Sequence, residues 1–159
     1  MKIRNVNAND YSILRTLSCE NKPLDLHTPY TYWVCCNYYS QYCFILEHND
    51  TPVGYIMSIT NKDCVFVWQI AVSENFRGHN LSRILIDAVV KKAVSDGYSE
   101  LQVTIAPENK ASYYSFYSYS KSKNFTFKKI GSLHVEDKQE NILQTEHETI
   151  YKMELLEEI

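Results

Sequence analysis

The stretch Val65-Phe66-Val67-Trp68-Gln69-Ile70-Ala71-Val72-Ser73-Glu74-Asn75-Phe76-Arg77-Gly78-His79-Asn80-Leu81-Ser82 passes from an apolar run, through a polar loop, into the start of an amphipathic helix. Its first eight residues are mostly β-branched or aromatic, which predicts a strand buried on both faces. Ser73 to Asn80 groups polar residues around Gly78, the only glycine between positions 55 and 96. Leu81, Ile84, Leu85, Ala88, Val89 and Ala93 then recur at helical spacing, with Arg83, Asp87, Lys91 and Lys92 off that face. Such a loop aims free backbone N–H groups, and the positive end of the helix dipole, past the end of the strand. That arrangement is an anion cradle suited to a diphosphate. Gly78 permits close backbone approach, and Arg77 and His79 add charge or hydrogen bonds at the rim. The competing reading is a plain strand-to-helix connection with a solvated arginine.

Upstream, Lys2 to Val6 reads as a short strand, and Asn9 or Asp10 as the cap of a helix through Tyr11, Ile13, Leu14 and Leu17. The stretch Pro23 to Ser40 holds a second, strongly aromatic helix with Pro29 in its first turn, Thr28 as cap, and a core face of Tyr30, Trp33, Val34 and Asn37. Tyr42 to Leu46 and Pro52 to Ile59 form two strands joined at Asn49-Asp50, a hairpin signal. Downstream, Asp96-Gly97 stops the helix that begins at Leu81, Leu101 to Ile105 is a strand, and Lys110 to about Ser122 is a tyrosine-rich helix. A strand, helix and strand in that order predict parallel neighbours. Phe125 to Ile130 and Thr149 to Leu155 are strands, and polar Gly131 to Glu146 between them reads as a lid or surface excursion.

The 159 residues, 45% hydrophobic, suffice for one well-filled core. A net charge of −3 argues against a nucleic-acid partner, whose phosphates demand a basic face. No apolar run approaches the roughly 18 residues of a membrane span, and Met1-Lys2-Ile3-Arg4-Asn5 lacks a leader's apolar core, so a cytoplasmic protein with no membrane partner is expected. Cys19, Cys35, Cys36, Cys43 and Cys64 show no metal-ligand spacing, which predicts free buried thiols and no metal.

Gln69-Ile70-Ala71-Val72, then Phe76 to Ser82, then Asn109-Lys110-Ala111-Ser112 resemble the acetyl-CoA-binding core of the GNAT N-acetyltransferases. Leu24-Asp25-Leu26 with Tyr30 and Tyr32, Phe66 to Val72, Val103 to Ser112, and Glu148-Thr149-Ile150-Tyr151-Lys152 are similar to the branch of that family that acetylates L-2,4-diaminobutyrate in ectoine synthesis. The resemblance implies one domain over 1-159 with an α/β (α+β) GNAT fold. Its sheet would be mixed, mostly antiparallel, of about six to seven strands, with helices on both faces and a splayed parallel central pair. It also implies acetyl-CoA as co-substrate, a small-molecule amine as acceptor, and a homodimer.

By the same resemblance, the pantetheine arm pairs with the backbone of Gln69, Ile70, Ala71 and Val72, and the pyrophosphate rests on Arg77, Gly78, His79, Asn80, Leu81 and Ser82. Asn109 either meets the pantetheine arm or caps its helix. The family usually has Gly where Asn80 stands and Gly or Ala where Ser82 stands; Asn tolerates positive φ better than most residues. Asp25, Tyr30 and Trp68 are the implied amine-binding residues, Glu148 the proton acceptor, and His147 the second choice as base or relay. Many relatives reprotonate the thiolate with a tyrosine at the position of Phe116. Here Tyr113, Tyr114 or Tyr117 substitutes, or the thiolate leaves unassisted and a backbone N–H of the splayed strand stabilises the oxyanion. Lys121, Lys123, Lys128 and Lys129 are either contacts for the 3′-phosphate or a solvated helix end. Acetylation of another small amine, and a catalytically silent acyl-CoA-binding module, are the alternatives.

Overall fold

The computed structural model describes residues 1–21, 24–139 and 142–155, without the side chains of 137–145. The chain runs through β1 (Lys2–Asn5), α1 (Tyr11–Glu20), α2 (Pro29–Tyr38), β2 (Phe44–His48), β3 (Thr51–Thr60), β4 (Val65–Val72), α3 (Leu81–Ser95), β5 (Glu100–Ile105), α4 (Lys110–Ser122), β6 (Thr126–Gln139) and β7 (Ile142–Glu154). The seven strands among the described residues form one sheet in the order β1-β2-β3-β4-β5-β7-β6. Every neighbouring pair is antiparallel except β4 and β5, as the strand-helix-strand order predicts. That parallel pair is joined only at Val65↔Leu101, Phe66↔Gln102 and Val67↔Val103. Past Val67 the two strands part, leaving an edge of each with unpaired backbone groups facing an opening.

The parting coincides with a β-bulge. Met57 pairs with Gln69 and Ser58 with Val67, so Trp68 is the extra residue. An extra residue reverses which face the following side chains take. Val65 and Val67 accordingly pack into the core beneath α3, while Ala71 joins the core beneath α1 and α2. The strand is therefore not buried throughout, as its composition predicts: Trp68 is 40% exposed.

On the α3 face, Leu81, Leu85, Ile86, Val89, Val90 and Ala93 are buried against the sheet, each large one contributing about 1.5–3 kcal/mol. Ile84, expected inside, is exposed, because the buried stripe is rotated toward Ile86 and Val90. On α2 the expected core face is reversed. Tyr32, Cys35 and Cys36 point inward, whereas Tyr30, Trp33 and Asn37 face solvent. Pro29 does open α2, but the Thr28 side chain makes no capping bond; Pro23 lies outside the described residues. The thiols are free, with Cys19 exposed rather than buried.

Asn49 and Asp50 both adopt positive φ, 49° and 60°, and close the two-residue hairpin that their side chains favour. Asp10 precedes α1 without capping it. Its carboxylate is taken by the Arg4 guanidinium, 2.7 Å away, which also reaches Glu47 at 2.7 Å. The polar segment after Gly131 is neither lid nor excursion. It continues β6 and begins β7, a ribbon paired from Gly131↔Ile150 to Gln139↔Ile142.

Candidate active site

Two left-handed residues shape the loop between β4 and α3: Gly78 at φ 80° and Asn80 at φ 57°. Asn80 thus takes the conformation usually given to glycine, at a tolerable cost for this side chain. Positive φ at both positions turns the loop sharply before α3, whose first turn leaves the N–H groups of Leu81 and Ser82 as orphan donors, and the loop with these donors makes a nest open to an anion. His79 stands exposed on this loop. Arg77 takes no part in the nest: its N–H bonds Glu74 O at 3.1 Å, and its side chain leaves for α1. The open edge of β4 from Gln69 to Val72 adjoins the nest and suits an amide-bearing arm such as pantetheine.

Ser82 Oγ bonds Ser115 Oγ at 3.2 Å and so ties α3 to α4. Asn109 caps α4, its Oδ1 accepting from Ser112 N at 3.2 Å. Phe116 is fully buried and stacks on Phe127, so it stands apart from any chemistry. Tyr113 sits beside a cavity of ≈ 240 Å³ with Ile105, Ala106, Lys110 and Tyr151, at the end of β5. Burial and the neighbouring phenols raise its pKa, which keeps it a proton donor. The lysine cluster is dispersed: Lys123 pairs with Asp87, Lys128 with Glu154, and Lys121 lies over the Tyr117 ring. A larger recess of ≈ 400 Å³, lined by Tyr42, Lys62 and Asp96, opens beside the starts of β4 and β5, away from the nest.

Glu148 lies one residue past the last β5–β7 pair, Ile105↔Thr149, and so stands where β5 ends. It is half-buried. Burial first, and then the charges of Asp25, Glu146 and Glu108, raise its pKa above the ordinary carboxylate range. Four carboxylates from three distant segments thus share one field. His147 is exposed, pairs across the ribbon with His134 at 6.0 Å between ring centroids, and by strand alternation faces away from Glu148.

The Gln69 side chain organises the other wall. Its Oε1 accepts from the hydroxyls of Tyr32, at 3.2 Å, and Tyr55; its Nε2 donates to the Asp25 carbonyl at 2.6 Å. Burial raises the Tyr55 pKa and keeps that phenol a donor. The loop before α2 is thereby held against the bulge, with His27 packed 5.4 Å from Trp68 and the Asp25 carboxylate exposed. Tyr30 is 70% exposed and stacks on Trp33 at 6.0 Å. Among the described residues, no hydrogen bond or ring contact joins Tyr30 to Asp25, Trp68 or Glu148. Glu108, Glu146, Tyr55 and the Gln69 amide are additions that the sequence alone did not single out. Only the bulge, which turns Gln69 inward, reveals the last two. Among the described residues, no group of three or more acidic, His or Cys side chains is placed to hold a metal, and no helix is long and apolar enough to cross a membrane.

The L-2,4-diaminobutyric acid acetyltransferase of Marinococcus halophilus is 33% identical over 96 residues, 58% of this chain and 56% of that protein. The enzyme of the same name from Methylotuvimicrobium alcaliphilum is 29% identical over 130 residues, 80% of this chain and 73% of its own. The chain spans little more than half the length of the first of these relatives. Among solved structures, the diaminobutyrate acetyltransferase EctA from Paenibacillus lautus, in complex with its substrate L-2,4-diaminobutyric acid and coenzyme A, superposes with a TM-score of 0.82. It is 23% identical, covering 99% of this chain and 97% of that one, and so shares the fold. Residues 11–118, carrying the splayed strands, the bulge and the nest, match the acetyltransferase (GNAT) family, and the chain belongs to that family.

Proposed function

We propose that the chain transfers the acetyl group of acetyl-CoA to a primary amine of a small diamino acid, with L-2,4-diaminobutyrate the foremost substrate. The observation that carries this reading is the half-buried Glu148 in the common field of Asp25, Glu108 and Glu146, at the end of β5. Such a field draws in a substrate with two ammonium groups, and the raised pKa of Glu148 makes it a better proton acceptor. The names of the relatives agree with that substrate.

The chemical difficulty is the amine. At a lysine-like pKa, roughly one molecule in a few thousand is neutral at pH 7, about 4–5 kcal/mol of barrier. Glu148 removes the proton, directly or through water, while the Asp25 carboxylate engages the second ammonium and Trp68 supplies an apolar and cation–π wall. The freed amine attacks the thioester carbonyl, and a backbone N–H on the open edge of β4 stabilises the oxyanion. The thiolate then departs, with Tyr113 the best-placed phenol to protonate it. The nest from Gly78 to Ser82 holds the diphosphate of the co-substrate.

Thiol release from acetyl-CoA tests the reading, with 2,4-diaminobutyrate beside ornithine, lysine, putrescine and spermidine. Release with 2,4-diaminobutyrate well above the others is expected. Release only with another amine moves the substrate, and coenzyme A binding without release on any amine leaves a silent module. We also propose a homodimer, supported by the exposed aromatic face of Tyr30, Trp33 and Tyr38. Light scattering should give twice the chain mass, and a monomer at every concentration overturns this.

A further inference from the structure

We infer that Arg77 is a positioning residue for the amine site and not a ligand of the co-substrate's phosphates, and this rests on the acetyltransferase reading above. Its Nη2 donates to Asn21 Oδ1 at 2.8 Å, and its Nε to the Val72 carbonyl at 3.3 Å. Two directed bonds at the end of β4 therefore commit the guanidinium to a path away from the nest. Asn21 is 5% exposed, and its amide nitrogen donates to Leu17 O at 2.6 Å. That bond orients the carboxamide and aims its oxygen at Arg77. Swinging Arg77 toward a phosphate strips a buried acceptor of its partner, a cost the nest's own N–H groups make unnecessary.

Asn21 heads the loop that carries Asp25. Leu24 N bonds Asn21 O at 2.9 Å, and the Asp25 carbonyl accepts from Gln69 Nε2 at 2.6 Å and from Ser18 Oγ at 3.3 Å. The amine loop is thus fastened at one end to the loop beneath the co-substrate and at the other to the bulged strand. Arg77 is the strut between them.

The test compares Arg77→Met and Asn21→Ala, singly and together. Amine KM should rise about tenfold in each, with kcat falling less, and the Kd for coenzyme A by calorimetry should stay within twofold. The double variant should resemble the singles, since each already breaks the Arg77–Asn21 bond. Amide hydrogen exchange at Leu24 should quicken in both. A tenfold loss of coenzyme A affinity in Arg77→Met alone makes Arg77 a phosphate ligand and overturns the inference. Unchanged exchange in both variants overturns it too, and this readout decides the matter even if the wild-type chain acetylates no amine.

Discussion

Replacing Glu148 by Gln is expected to lower kcat by about 10²–10⁴-fold, the usual worth of a positioned general base, while coenzyme A affinity stays near the wild-type value. Glutamine keeps the size of the side chain and removes its ability to take a proton. The effect should depend on pH in a defined sense. Glu148 acts only when ionised, and burial together with Asp25, Glu146 and Glu108 shifts its ionisation upward. The acid limb of the wild-type kcat profile should therefore lie above the ordinary range of a glutamate. In the Gln variant that limb should vanish, leaving residual turnover that climbs with pH as solvent deprotonates the amine. Glu108→Gln, which relieves one like charge, should move the limb downward with little loss of rate. A Glu148→Gln variant of unchanged kcat discards the base assignment, and a limb unmoved in Glu108→Gln discards the shared field.

The largest expected loss of stability comes from Arg4→Met. Arg4 lies between two carboxylates, Asp10 at 4% and Glu47 at 8% exposure, and bonds each at 2.7 Å. Removing the guanidinium leaves both charges nearly buried, with only Lys2, 3.9 Å from Glu47, nearby. Breaking a buried pair in this way costs about 3–5 kcal/mol, a large part of the stability of a domain this size. Burial alone works against ionisation of Asp10; the Arg4 bond and the Asn7 N–H outweigh it and hold its pKa below the usual value. A depressed carboxylate contributes stability that is present above its unfolded pKa and lost as pH falls through its folded pKa. The gap between wild type and variant, measured by denaturant at pH 7, should hence shrink as the solution is acidified below pH 4. A gap under about 1 kcal/mol at pH 7, or one that persists in acid, contradicts the account.

Local chemistry was legible in the sequence wherever a residue type answers a local backbone demand. Asn49-Asp50, Asp96-Gly97 and the Gly78 to Asn80 loop were all read from side chains that favour left-handed turns or helix ends. The bulge at Trp68 was not, because the run from Val65 to Val72 is apolar at almost every position and looks the same whichever face each residue takes. The β6–β7 ribbon was missed for the opposite reason: with solvent on both sides, nothing imposes an alternation of apolar and polar residues. The inward face of α2 differs from the expected one because tyrosine occurs on both of its sides, whereas Leu81, Leu85, Val89 and Ala93 of α3 are buried as expected and only Ile84 gives way to Ile86. In the candidate site, Asp25 and Glu148 stand 123 positions apart. Their proximity was available only through resemblance, never from spacing. Glu108 and Glu146 carry no signal at all in the sequence, as exposed glutamates look alike until a fold groups them.

The bulge at Trp68 has a bearing on how this chain can change over generations. Val65 and Val67 face the α3 layer whereas Gln69 and Ala71 face the α1 and α2 layer, and the switch is made by one surplus residue, whatever its identity. Exchange of one apolar side chain for another within Val65 to Val72 perturbs a single packing site. Loss or gain of a single codon there re-addresses every following side chain, turning Gln69 away from Tyr32 and Tyr55 and releasing the amine loop. Drift at β4 is therefore tolerant in spelling and strict in length.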